Sequence, residues 1–326
     1  MLHRYAKFVA GYTVLLLLAG SLVTSTGSGL SVPDWPTSYG WNMFTFPPSK
    51  WVGGIFYEHG HRLIASGVGV LTIVLAAWLW LAEPRAWIRR LGLVALGAVI
   101  LQGVLGGVTV LFFLPTAIST AHAGLAEIFF CLTVAIALFT SPGWLRGSGE
   151  PDDEMLRLVA TTTTGLIYLQ VLVGAVMRHS DAGLAIPDFP LMFGGLLPDH
   201  WDAKIAIHFA HRMGALVVTL GVLATAGHVF YHHPRCRTLT RPAAAILVLV
   251  AVQVTLGALT VLSRRDVWIN SVHLVCGALV LATSVVITLR SWRTRFATGP
   301  AHVSTESIGG SAPPLGHSHA DSRARA

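Results

Sequence analysis

Fifteen histidines occur in the sequence, and four of them fall in pairs within apolar runs. His61 and His211 stand 150 residues apart, and His122 and His273 stand 151 apart. Each half of the chain thus places two imidazoles on two different spans at similar depth. Two imidazoles facing each other across a helical bundle supply the axial ligands of a heme iron. Ionisable groups inside membrane spans are costly and mark function. Neither pair is accompanied by the further Cys, Asp or His ligands of a tetrahedral metal site, so heme is the reading that fits the pairs.

Arg62 and Arg212 directly follow the first histidine of each pair. Two roles stay open for them: snorkelling to lipid headgroups, or pairing with heme propionates through a bidentate guanidinium. The first half reads Glu58-His59-Gly60-His61-Arg62 where the second reads His208-Phe209-Ala210-His211-Arg212. Glu58 precedes His61 by three residues and shares its helix face. A carboxylate there can orient the imidazole, accept a proton or stabilise positive charge; the plainer reading is a residue at the water interface. This broken symmetry suggests chemistry in the first half and a permanent cofactor in the second. His59 and His208 are at most neighbours of the ligands. Glu127 is a buried acid beyond His122, and His228, His232 and His233 are expected to be solvated at a cytoplasmic helix end.

The elements that position these groups follow from composition. Apolar residues make up 53% of the chain and charged residues 11%, against roughly 25% charged in soluble domains. A membrane-spanning helix needs about 20 apolar residues. Eight such spans are expected, at about 7–25, 55–82, 89–113, 118–140, 157–178, 204–231, 242–262 and 267–290. The first run is expected to be retained rather than cleaved, because no small-x-small site closes it. The pI near 9.8 reflects basic clusters between apolar runs, which is a topology signal and excludes nucleic acid as a partner. Arg85, Arg89, Arg90, Arg146, Arg157, Arg235, Arg237 and Arg241 fall on one side; by the positive-inside rule both termini are cytoplasmic. Cys131, Cys236 and Cys276 form no CxxC or metal set. Gly103, Gly106 and Gly107 are expected to let helices approach closely.

A repeat orders the spans. Gly29-Leu-Ser-Val-Pro-Asp-Trp-Pro36 matches Gly183-Leu-Ala-Ile-Pro-Asp-Phe-Pro190, 154 residues on, and Gln102-Gly-Val-Leu-Gly-Gly107 resembles Gln253-Val-Thr-Leu-Gly-Ala258. With the histidine pairs, these matches define halves at 1–145 and 150–295, followed by a cytoplasmic tail at 296–326 expected to be disordered. The tail's His317 and His319 are given no role. The expected fold is an all-α membrane protein of eight transmembrane helices, as two tandem four-helix bundles. An even number of spans per half makes the bundles parallel, related by a pseudo-two-fold axis along the membrane normal.

The Glu58-x-x-His61-Arg62 signature, the Thr120-Ala-His122-Ala-Gly124 segment, His211, His273 and the paired Gly-Leu-x-x-Pro-Asp-aromatic-Pro loops resemble the heme A synthase family over about residues 5–295. The resemblance implies oxidation of the C8 methyl group of heme O to a formyl group by successive hydroxylations, for cytochrome oxidase biogenesis in the plasma membrane. It implies that His61 and His122, with Arg62, bind substrate heme O, and that His211 and His273, with Arg212, bind cofactor heme b. Glu58 is then the catalytic carboxylate. A heme O synthase (protoheme farnesyltransferase) and a membrane electron acceptor are the implied partners, and a homo-oligomer stays open. Some family members carry a cysteine pair in the first outer loop, whereas residues 26–54 here have none. The rival readings are a diheme b-type electron carrier, which leaves Glu58 unexplained, and a transporter, which the one-sided histidines disfavour.

Overall fold

The computed structural model describes residues 1–147 and 152–297; the tail from residue 298, with His317 and His319, lies outside the described residues. The described residues form ten α-helices and two short 3-10 turns, Met43–Thr45 and Pro48–Lys50. Eight helices are long and apolar enough to cross a membrane. They are α1 Leu2–Ser25, α2 Gly54–Ala82, α3 Ala86–Leu111, α4 Thr116–Phe139, α6 Glu154–His179, α7 Ala203–His232, α8 Arg237–Leu262 and α9 Val267–Ser291. The five-residue helices α5 Pro142–Arg146 and α10 Arg293–Ala297 complete the set. Several helices outrun the spans read from hydropathy: α1 begins at Leu2, not Phe8's neighbourhood, and α8 begins at Arg237 and carries Pro242 inside it. Charged first turns can reach water while their backbone continues the helix, so apolarity marks the lipid boundary and not the helix end.

Aspartates set the starts of α6, α7 and α9, whereas α8 starts after Cys236 with no side-chain cap. Asp153 accepts from Leu156 N, Asp202 from Ile205 N, and Asp266 from Trp268 N and Ile269 N. These caps satisfy amides that would otherwise be orphaned at a helix end.

In the first half α1 packs on α2, α2 on α3, α3 on α4, and α4 back on α1; α6, α7, α8 and α9 close a second ring in the same order. The rings meet through α1 on α9, α4 on α6 and α4 on α9. Exchanging the halves swaps α1 on α9 with α4 on α6 and leaves α4 on α9 as itself, which is compatible with a pseudo-two-fold. The faces of α2, α3, α7 and α8 turned away from this junction carry exposed apolar side chains such as Val70, Leu81, Ile100, Leu101, Leu220 and Val248. In lipid such residues are matched to their solvent.

Glycines serve the packing at other places than expected. A Cβ on Gly92 would meet Leu79 of α2 at 2.8 Å, and one on Gly124 would meet Leu172 of α6 at 2.8 Å, so close helix approach occurs there. Gly103, by contrast, faces open space, and Gly106 and Gly107 receive side chains of the site.

Candidate heme sites

Each of the four histidines of the two pairs lies on a glycine of the neighbouring helix. A Cβ on Gly20 of α1 would stand 2.9 Å from His61 Cε1, and one on Gly106 of α3 would stand 3.2 Å from His122 Cε1. The second half repeats both seats: Gly174 of α6 under His211 at 2.9 Å, and Gly257 of α8 under His273 at 3.2 Å. His61 and His122 are within electrostatic reach of each other, as are His211 and His273. Nδ1 of His61, His122 and His273 is buried without a hydrogen-bond partner. Buried polar atoms are almost always paired, so such orphans mark a missing partner. Glycine-cleared seats, buried imidazoles and unpaired ring nitrogens fit an axially ligated heme in each ring.

Glutamines hold two of these histidine segments in place. Gln102 Nε2 donates to His122 O at 3.0 Å, and Gln170 Nε2 donates to His211 O at 2.7 Å, with His211 Nδ1 at 3.1 Å. Gln253 Nε2 would contact a Cβ on Gly277 at 3.1 Å. The seats and glutamines were missed as functional groups, although the Gln102/Gln253 and Gly106/Gly257 matches were visible in the repeat.

Both arginines are engaged by backbone carbonyls of the loop that precedes their helix. Arg62 donates to Asp34 O at 2.7 Å, Thr37 O at 3.0 Å, Val32 O at 2.7 Å and Glu58 Oε1 at 2.7 Å. Arg212 donates to Leu191 O at 3.0 Å, Ile186 O at 3.1 Å and Asp188 O at 2.6 Å. Both guanidinium groups therefore clamp the loop that precedes α2 or α7 onto the helix that carries the first histidine of that half. Glu58 is 4% exposed, and its Oε2 accepts from Val32 N at 2.8 Å. It sits under the loop, away from open water.

The two loops are copies. Asp34 accepts from Tyr39 N at 2.7 Å and Gly40 N at 2.8 Å; Asp188 accepts from Phe193 N and Gly194 N, both at 2.8 Å. Tyr39 and Phe193 share φ near 52° and 55°. Burial alone would raise the Asp34 carboxyl, but the hydrogen bonds from Gly40, Thr37 and Tyr39 outweigh it and hold the group below its usual value. The amide of Gly194 first, and that of Phe193, hold Asp188 below its usual value as well. His59 belongs to the loop and not to the pair: its ring packs on Trp51 at 4.7 Å and Phe46 at 4.9 Å, and its Nδ1 meets Ser38 Oγ at 3.1 Å.

Three groups lie outside the pairs. Glu127, on another face of α4, keeps Oε2 buried and unpartnered beside Tyr168 and Cys131 at the junction of the halves. Arg178 of α6, which sequence reasoning passed over, donates to Ser21 O and Ser25 Oγ of α1, both at 2.8 Å. An arginine inside an apolar run was the signal for it. His228 and His233 are not free in solvent: both Nε2 atoms lie 2.7 Å from Asp153 Oδ2. A pair of imidazoles on one capping carboxylate could not be foreseen, because Asp153 is 75 residues from His228 in the chain.

The sequence profile of a family described as Cytochrome oxidase assembly protein matches residues 49–285. The chain is 27% identical over 321 residues to the heme A synthase of Geobacillus kaustophilus (strain HTA426), covering 96% of this chain and 99% of that protein. It is 30% identical over 275 residues to the heme A synthase of Symbiobacterium thermophilum, covering 80% and 87%. The heme A synthase of Halalkalibacterium halodurans is 29% identical over 302 residues, covering 88% and 97%.

Proposed function

The chain belongs to the Cytochrome oxidase assembly protein family, and from that membership we propose that it is a heme A synthase. It is an oxidoreductase that converts the C8 methyl group of heme O to a formyl group, in keeping with relatives of that name matched over nearly their whole length. The observation that carries the reading is the glycine-seated imidazole pair, built twice, with a buried carboxylate beside only the first.

The first half, residues 1–145, takes heme O between His61 and His122. The second half, residues 150–295, keeps heme b between His211 and His273. Bound heme supplies the redox chemistry of its iron. Two successive hydroxylations of the methyl carbon give a hydrated aldehyde, which loses water to leave the formyl group. The chain's own part is to ligate, orient and screen. Gly20 and Gly106 leave room for the Cε1 edge of each ring against α1 and α3, which fixes where the two imidazoles stand. Arg62 folds the loop at 32–37 over the outer end of α2 and keeps water from the site. Glu58 holds a negative charge under that loop, where it stabilises positive charge on the substrate or takes up a proton. A plain diheme carrier has no use for this asymmetry.

Both termini lie on the cytoplasmic side of the plasma membrane, which the basic residues of the loops support. A heme O synthase supplies the substrate, and a membrane acceptor takes the electrons. The test is expression together with a heme O synthase, followed by chromatography of the extracted hemes. Heme A or its hydroxylated precursor is expected from the wild type, and neither from His61→Ala, which keeps heme b. Unchanged heme O beside heme b in the wild type rejects the assignment.

A further inference from the structure

A groove between α2 and α3 runs along the lipid-facing side of the first ring, lined by Trp35, Gly69, Ile73, Leu96, Ile100 and Gly103 among others, with almost no polar surface. Glycines in membrane helices usually let backbones touch. Gly69 and Gly103 do not: a Cβ at either position would meet nothing within 4 Å. They keep a channel open.

The second half carries bulkier residues at both glycine positions. By the repeat, Gly69 corresponds to Thr219 and Gly103 to Val254, so each opening is replaced by a β-branched side chain. Ile100, whose counterpart Ala251 is smaller, lies on the outer rim at 60% exposure and does not decide the width. The two glycine gaps therefore belong to one half, and it is the half assigned to the substrate.

The groove also runs beside the α3 segment that seats His122. Gly103 lies one turn from Gly106, the seat of His122, and beside Gln102, which holds the His122 carbonyl. Trp35 closes the outer end by lying across Gly107, where a Cβ would come within 2.4 Å of the indole. From Gly107 to Leu96 the helix rises about 16 Å at 1.5 Å per residue. Heme O differs from heme b by a long hydroxyethylfarnesyl chain, apolar apart from one hydroxyl beside the ring, which needs such a channel; heme b does not.

Resting on the function proposed above, we propose that the α2–α3 groove is the binding site for the farnesyl tail of the substrate heme. It selects heme O for the first half, while Thr219 and Val254 refuse the tail in the second. Because the tail leaves lipid and not water, the selection comes from packing against the groove walls rather than from the hydrophobic effect.

The experiment uses the full chain, purified with its resident heme and placed in lipid nanodiscs. Heme O and tail-less protoheme are titrated separately and followed by absorbance. Gly69→Thr/Gly103→Val installs the second half's own residues, and Ile73→Phe fills the groove from the other wall without touching a glycine. Both variants are expected to bind heme O about tenfold more weakly, the range over which apolar pockets sense size, with protoheme affinity unchanged. Equal loss of both hemes, or loss of neither, overturns the proposal; the last outcome assigns the groove to a bilayer acyl chain. A wild type that binds no heme O overturns the functional reading itself, whereas unselective variants of a competent wild type overturn only the groove.

Discussion

Glu58 and His208, related by the repeat, face the same two donors in their respective halves: the amide of an outer-loop residue and the arginine one turn later. Glu58 accepts from Val32 N at 2.8 Å and from Arg62 at 2.7 Å. His208 Nδ1 lies 3.2 Å from Ile186 N, and its Nε2 lies 3.2 Å from Arg212 Nε. A carboxylate accepts from both at once, whereas a neutral imidazole accepts from one. The asymmetry between the halves is therefore one of charge and acceptor capacity, and hardly one of position.

That relationship separates a chemical role for Glu58 from a structural one. Glu58→His installs the second half's solution, which already holds a loop of the same shape. It gives up about 1.5–3 kcal/mol of charged hydrogen bonding but leaves Arg62 its three loop carbonyls. The expected outcome is a folded protein with both hemes bound and heme A formation down by at least about a hundredfold, the usual worth of a positioned acid or base. Heme A at the wild-type rate, measured by chromatography of extracted hemes, assigns Glu58 to the loop alone.

The glycine seats predict losses confined to one half. Gly174→Ala drives a methyl group into His211 at 2.9 Å, an overpacking that costs about 1–3 kcal/mol. Alanine also favours the helix by about 1 kcal/mol over glycine, so a loss of heme cannot be charged to a weakened α6. Gly174→Ala is expected to lose heme b, and Gly20→Ala to lose heme O binding while keeping heme b. Gly97→Ala, which meets nothing within 4 Å, is the control. Heme stoichiometry and the absorbance of each site read the result; unchanged content in both seat variants rejects the seats.

The sequence carried the spans, the repeat and the histidine pairs because each is periodic or internally duplicated. Lipid-facing helices write their length in hydropathy, and a duplicated arrangement writes its histidines twice. Contacts made once, between distant positions, had no such signature. Arg62 looked like a membrane-surface or propionate residue because its partners are carbonyls of Val32, Asp34 and Thr37, which side-chain identity does not reveal. The Asp153–His228–His233 cluster and the Arg178–Ser25 junction escaped for the same reason. Gly103 was misjudged because a glycine that admits a neighbour and a glycine that leaves a void read alike.

The outer loops are expected to loosen in acid. Asp34 and Asp188 both sit below their usual carboxylate value in the folded protein. A depressed folded pKa means stabilisation that is complete above the ordinary value and disappears as pH falls through the folded one. Hydrogen-exchange protection at residues 34–41 and 188–195, the observed rate divided into the intrinsic rate at each pH, should therefore be full near neutral pH and fall in both loops below the ordinary carboxylate range. Asp34→Asn should lower protection in the first loop at neutral pH and flatten its pH dependence, leaving the second loop as it was. Loops whose protection stays constant across that range contradict the assignment.

On the opposite face, Asp153 carries two duties with its two oxygens. Oδ1 caps α6 at Leu156 N, and Oδ2 meets the Nε2 atoms of His228 and His233 at the end of α7. Burial would push its carboxyl up, but the hydrogen bonds from His228, Leu156 and His233 pull it well below the usual range. Its contribution is therefore present near neutral pH and fades in acid. Asp153→Ala removes the cap, worth about 0.5–2 kcal/mol, and also strands both imidazoles. His233→Ala keeps the cap and removes one contact, worth about 1 kcal/mol. Thermal unfolding at neutral pH should rank the wild type above His233→Ala and His233→Ala above Asp153→Ala. The gap between wild type and Asp153→Ala should narrow as pH is lowered. Equal stability of the three proteins would mean that α6 and α7 are held by their apolar contacts, Leu156 with Val229 and Ala226, and that the clamp only orders the turn at that end of the helices.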